Sequence, residues 1–116
     1  MTTQRAARIE TLLWTAQRAT AAVLAVCVAV HLATIIYAVR GGLTAAEILA
    51  RTRGSLGWML FYSLFVLAIA IHAPIGLRTI VREMTIWRGP SLDAVTALTT
   101  VLLLVIGWRA VGGLVG

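Results

Sequence analysis

Charged residues divide the chain into long apolar runs joined by short polar segments. Residues 19–39 (ATAAVLAVCVAVHLATIIYAV) carry no Asp, Glu, Lys or Arg over 21 positions, and residues 54–77 (GSLGWMLFYSLFVLAIAIHAPIGL) carry none over 24. Each exceeds the ~20 residues a helix needs to cross the hydrocarbon core of a bilayer. A third run, residues 94–116, is interrupted by Arg109, whose long side chain can snorkel to the interface, and Gly112 and Gly113 are expected to fray its end. With their flanking turns, the predicted spans cover about residues 15–39, 54–82 and 92–114.

The polar segments read as helix punctuation. In residues 1–18, Ile9, Leu12, Leu13 and Ala16 recur at helical spacing, with Arg5, Arg8 and Thr11 left for the opposite face. That pattern predicts a short N-terminal amphipathic lead-in, lying on the membrane surface before the chain turns into the first span. In RGGLTAAEILARTRG (40–54), Gly41-Gly42 breaks the helix, and Thr44 with Glu47 forms a capping box that starts a short surface helix. In WRGPSLD (87–93), Gly89-Pro90 ends one helix, Ser91 is placed to cap the next, and Asp93 falls in the first turn, where the helix dipole favours an acid. There is no repeat or low-complexity stretch. The predicted fold is all-α: one integral membrane domain over residues 1–116, built on three transmembrane helices.

Composition agrees. The chain is 60% hydrophobic and 12% charged, with a mean hydropathy of +0.95 over 116 residues, more apolar surface than a soluble domain of this size can bury. A secretory signal peptide does not fit the first run, which is too long, begins 18 residues in and is followed by no small-residue cleavage site. The net charge of +6 would suggest nucleic acid in a soluble protein. Here all ten basic residues are arginines gathered at predicted span ends, so membrane-interface anchoring is the better account. Arg5, Arg8, Arg18, Arg78, Arg82 and Arg88 fall on one side, and Arg40, Arg51, Arg53 and Arg109 on the other. The bias puts the N-terminus and the 79–93 loop in the cytoplasm and the C-terminus outside. A single cysteine, Cys27, excludes an internal disulfide and a cysteine-based zinc site.

Both histidines lie inside predicted spans, and an imidazole in hydrocarbon needs a partner, which makes each a functional candidate. His72 is six residues from Arg78, so ~9 Å below that interface, and His31 is thirteen from Arg18, so ~20 Å below it. Lying ~10 Å apart along the membrane normal, they do not ligate one metal together; as ligands, each takes its partner histidine from another chain. Ala68 and Gly76 one turn either side of His72, and Cys27 and Thr34 around His31, leave a clear face that a haem edge needs. Small residues serve close helix packing equally well. Pro74 frees the carbonyl of Ala70, a defect membrane helices tolerate. Arg78 is suited to a haem propionate, to a quinone carbonyl, or simply to anchoring at the interface.

HAPIGLRTIVRE (72–83) resembles the H-x-x-x-G-x-R-x-x-x-x-[DE] stretch of the cytochrome b membrane-anchor subunits of succinate dehydrogenase and fumarate reductase. QRATA (17–21) looks like a degraded form of that family's H-R-x-[ST]-G motif, and VIGWRAVGGL (105–114) is similar to its third-span ending. The resemblance covers residues 12–115. It implies His72 as an axial ligand of haem b near the cytoplasmic side, with Arg18 and Thr20 in a quinone pocket; Arg78, by its own chemistry, is placed with the haem. Departures are clear: Gln17 and Ala21 replace the family's histidine and glycine, and Trp14 stands where some members carry a quinone-binding serine. His31 looks like the first-span histidine of two-haem members, a distal axial ligand. The implied partners are an iron–sulfur subunit and a flavoprotein subunit on the cytoplasmic face, a second anchor subunit or second copy of this chain, and the bilayer, with no nucleic acid. The implied location is a bacterial-type inner (cytoplasmic) membrane.

On this reading the chain performs no dicarboxylate chemistry itself, since it has neither a flavin-binding Gly-rich motif nor a cysteine set for iron–sulfur clusters. It passes electrons between the iron–sulfur subunit and quinone. Two other readings stay open: a haem-free anchor or assembly subunit whose histidines bond neighbouring helices, and a small proton-coupled transporter. The transporter is disfavoured because no span holds an Asp or Glu at mid-depth.

Overall fold

A computed structural model describes residues 2–116, and these form four helices: α1 (Thr3–Arg40), α2 (Ala45–Thr52), α3 (Leu56–Met84) and α4 (Pro90–Val115). Three of them, α1, α3 and α4, are long and apolar enough to cross a membrane, as the apolar runs predict. They pack side by side into a rod of 55 × 25 × 22 Å. The middle helix is α3, antiparallel to α1 and to α4 and packed along both. It buries Ala68, Ala70 and Pro74, joined by Cys27 from α1 and Leu92, Val111 and Val115 from α4. Most large apolar side chains point outward, as a lipid-facing bundle requires: water offers no hydrophobic drive between helices in a bilayer, so small residues that admit close backbone approach decide the packing. Gly107 shows this most clearly, since a Cβ there would overlap the Val66 side chain.

The N-terminal segment differs from expectation. It does not lie across the surface and turn; α1 runs unbroken for 38 residues, ~57 Å, well beyond the ~30 Å hydrocarbon core. No glycine or proline occurs between Thr3 and Arg40, so nothing local stops the helix once the Thr2 side chain caps it by accepting from the Arg5 N–H. The lead-in therefore projects in line with the span. Of its apolar stripe, Ile9 and Leu13 line a cleft shared with α3 and α4, while Leu12 points outward.

The junctions follow from capping chemistry. Thr44 and Glu47 form the predicted box, with the Thr44 N–H donating to Glu47 Oε2 at 2.7 Å and the Glu47 N–H donating to Thr44 Oγ1 at 3.2 Å. At the start of α4 the expected Ser91 cap does not form. Proline fits best at the first helical position, so the cap falls two residues before Ser91, on Gly89 at φ 95°, and Ser91 instead accepts from the Trp87 indole N–H at 2.8 Å. Asp93 does occupy the first turn. The last turn of α4 does not fray at Gly112-Gly113. The Thr52 hydroxyl donates to the Leu114 carbonyl at 2.8 Å and the Gly54 N–H to the Val115 carbonyl at 2.9 Å, so α2 and its exit turn fasten two otherwise unpaired helix-end acceptors.

Candidate functional site

Along the α1–α3 seam, Gln17 meets Gly76, Thr20 meets His72, His31 meets Tyr62 and Glu10 meets Arg82, and in each pair the residue numbers sum to 92 or 93. This antiparallel register fixes the depths of the two histidines. His31 is level with Tyr62, ten residues along α3 from His72, so the two imidazoles lie ~15 Å apart along the helix axis. The separation exceeds the ~10 Å expected because Arg18, taken as an interfacial reference, sits opposite residues 74–75, about a turn deeper than Arg78.

His72 is half-buried on α3. Its Nδ1 lies 3.2 Å from the hydroxyl oxygen of Thr20, a buried residue of α1, and its Nε2 makes no hydrogen bond among the described residues. One turn on, the space left by Gly76 is taken by the Gln17 side chain, whose Nε2 lies 3.1 Å from where a Cβ would stand. Ala68 is buried as well. The small residues beside His72 thus serve helix packing, and the glycine makes room for an amide of the same chain rather than an open face. Gln17 Oε1 is itself buried with no hydrogen-bond partner, the one such side-chain atom among the described residues.

His31 faces a different setting. Its Nδ1 is 3.3 Å from the Tyr62 hydroxyl, and the rings of Tyr62 and Phe65 meet it edge-on at 5.7 and 5.6 Å. Cys27, one turn before it, is buried in the packing, whereas Thr34, one turn after, opens on a cavity of about 550 Å³. That cavity is mostly apolar, with His31 and Tyr62 among its walls and Arg51 at its edge beside Tyr37, to whose hydroxyl Arg51 donates at 3.3 Å.

At the opposite end lies an ion cluster. Arg78 donates from Nε to Asp93 at 2.9 Å and from an Nη to Glu10 at 3.2 Å, and Arg82 donates to the same Glu10 oxygen at 3.0 Å. The Arg78 side chain is only 12% exposed while both carboxylates stand half in solvent, so a half-buried cation is neutralised by acids that keep much of their hydration. The cluster ties α1, α3 and α4 together. Arg78 and Asp93 also edge an apolar cleft of about 390 Å³ whose walls include Ile9, Leu13, Ile75 and Thr100.

The predicted site residues therefore separate into four places, one of them the cavity beside His31 and Tyr62. Thr20 joins His72, Arg78 stands at the cleft between the three long helices, and Arg18 is exposed, its guanidinium 5.2 Å from the Trp14 ring centroid. Tyr62, Gln17, Glu10 and Arg51 are contacts that reading along single helices does not find, although Glu10, a lone acid among the N-terminal arginines, was a visible anomaly.

No three of His, Cys, Asp and Glu come together among the described residues, so each histidine is a lone donor. That donor set suits a group taking one axial ligand per chain, and the unengaged Nε2 of His72 fits the requirement. Searches of curated proteins and of solved structures return no match. The model of one family, the succinate dehydrogenase/fumarate reductase transmembrane subunit, matches residues 2–111. Three apolar helices, the seam histidine with its glycine and arginine, and a match over nearly the whole length lead to one conclusion: the chain belongs to the family of succinate dehydrogenase/fumarate reductase transmembrane subunits.

Proposed function

We propose that the chain is the haem b-bearing, quinone-interacting anchor of such a complex, passing electrons between its iron–sulfur subunit and membrane quinone. The observation that carries this reading is His72: an imidazole inside a membrane helix, held through Nδ1 by a neighbouring helix, with Nε2 unengaged. Bound there, haem b would supply a one-electron store between a one-electron cluster and a two-electron quinone. This chain's part is to fix the imidazole and to keep the site dry among α1 and α3. The quinone ring is assigned to the cleft edged by Arg78, whose walls are apolar and whose guanidinium can donate to a carbonyl oxygen. Thr20 and Arg18, the other residues implied for quinone, do not line that cleft.

The end bearing Glu10, Arg78 and Arg82 is assigned to the cytoplasm by the arginine bias, with the iron–sulfur and flavoprotein subunits docking there against the projecting turns of α1. A second ligand to the haem iron would come from a second anchor subunit or a second copy of this chain. His31, on its own cavity with Arg51 at the edge as a cation for a propionate, is the candidate for a distal haem.

One observation favours a haem-free anchor instead: both imidazoles already meet hydroxyls, of Thr20 and Tyr62, and can serve as bonds between helices. A reduced-minus-oxidised spectrum of membranes co-expressing this chain with its complex partners separates the two. A b-type band abolished by His72→Ala, and only diminished by His31→Ala, is the expected result. Spectra without a b-type band, or bands unchanged in both variants, would leave the haem-free anchor.

A further inference from the structure

We propose that Thr20 is a positioning residue that fixes the tautomer of His72, holding the ring proton on Nδ1 and leaving the lone pair on Nε2. The consequence for iron rests on the haem reading above; the tautomer itself does not.

The argument is proton accounting. A threonine hydroxyl has one proton to give and two lone pairs with which to accept. Three groups surround Thr20 Oγ1: the Ala16 carbonyl at 2.7 Å, the Gln17 carbonyl at 3.2 Å and His72 Nδ1 at 3.2 Å. The carbonyls can only accept. A separation of 2.7 Å is the usual length of an O–H···O bond, whereas 3.2 Å is long for a hydroxyl donor and still ordinary for a ring N–H donor. The hydroxyl proton therefore goes to Ala16, and Thr20 turns lone pairs toward the ring. Nδ1 must then be the donor. With the proton on Nε2, two lone pairs would face each other beside a residue only 9% exposed, with little water to relieve them.

The helix thus fixes the tautomer through its own geometry. Thr20 bonds back to the carbonyl four residues earlier in α1, which orients its free lone pairs across the seam, and the register puts His72 there. A ligating histidine usually donates its second N–H to a carbonyl or a carboxylate. Here the acceptor is neutral and its own proton is committed, so it orients the imidazole without drawing it toward imidazolate. Thr20 is accordingly reassigned from the quinone pocket to the histidine.

The test uses the full-length chain in detergent micelles without haem, at pH 8, with nitrogen-15 NMR of the histidine rings for wild type, Thr20→Ser and Thr20→Val. Wild type and Thr20→Ser should show His72 protonated on Nδ1. Thr20→Val, equal in shape but with no acceptor, should lose that state to a mixture in which the Nε2-protonated form predominates. A wild-type ring protonated on Nε2, or a Thr20→Val ring still protonated on Nδ1, overturns the proposal. In the assembled complex, the haem midpoint potential should shift in Thr20→Val and return in Thr20→Ser; equal potentials in all three overturn the role toward iron. An Nδ1-protonated His72 in a complex that binds no haem supports the tautomer lock and removes only the haem reading.

Discussion

Gly107→Ala should damage the α3–α4 interface through a single neighbour. The added methyl would overlap Val66 Cγ1 and stand 3.0 Å from its Cγ2 and 3.3 Å from its Cβ, so all three nearest atoms belong to one side chain. Valine in a helix holds one strongly preferred rotamer and cannot swing aside. Either α4 withdraws, losing dispersion contacts along its length, or Val66 takes an off-rotamer state; such overpacking costs ~1–3 kcal/mol. Removing the obstacle should repay much of that loss. Val66→Ala alone opens a small gap, but Gly107→Ala then fills it, so the double variant should be less destabilised than the two singles added together, with a coupling of ~1–2 kcal/mol. The assay is reversible unfolding in mixed detergent micelles, followed by circular dichroism, for all four chains of the cycle. Additive effects would refute the reasoning, for they would mean that the two residues do not share the contact.

Two further outcomes follow from the ends of the bundle. Glu10→Gln removes the acid shared by Arg78 and Arg82 and should cost no more than ~1 kcal/mol, because both carboxylates of the cluster are half in solvent; a salt titration should weaken the wild type more than the variant. Thr52→Val deletes the hydroxyl that holds the Leu114 carbonyl and should cost ~1 kcal/mol, with faster hydrogen exchange at the Gly54 amide, whose acceptor is the Val115 carbonyl in the same turn; unchanged exchange there would mean that the hydroxyl does not fasten the end of α4.

The chain by itself determined whatever depends on one helix at a time. Apolar run length gave three helices able to cross a membrane, Thr44 with Glu47 gave the start of α2, and the spacing of His72, Gly76 and Arg78 carried the family resemblance. Even the unbroken α1 was legible, since no glycine or proline interrupts Thr3–Arg40; its amphipathic stripe suggested a turn that no residue there enforces. Partners across helices were decided only by tertiary structure. A shift of one residue in the α1–α3 register rotates every contact by ~100°, and nothing along either helix sets that register. It emerges where small residues let backbones close, with Gln17 over Gly76 and Cys27, Ala68 and Ala70 in the interior, as Val66 against Gly107 does between α3 and α4. Once it is set, Thr20 faces His72, Tyr62 faces His31, and Arg78 finds acids from two other helices. The sequence named the histidines, and the packing of the helices chose what each one touches, because in a bilayer close fit and not hydrophobic pattern fixes how helices meet.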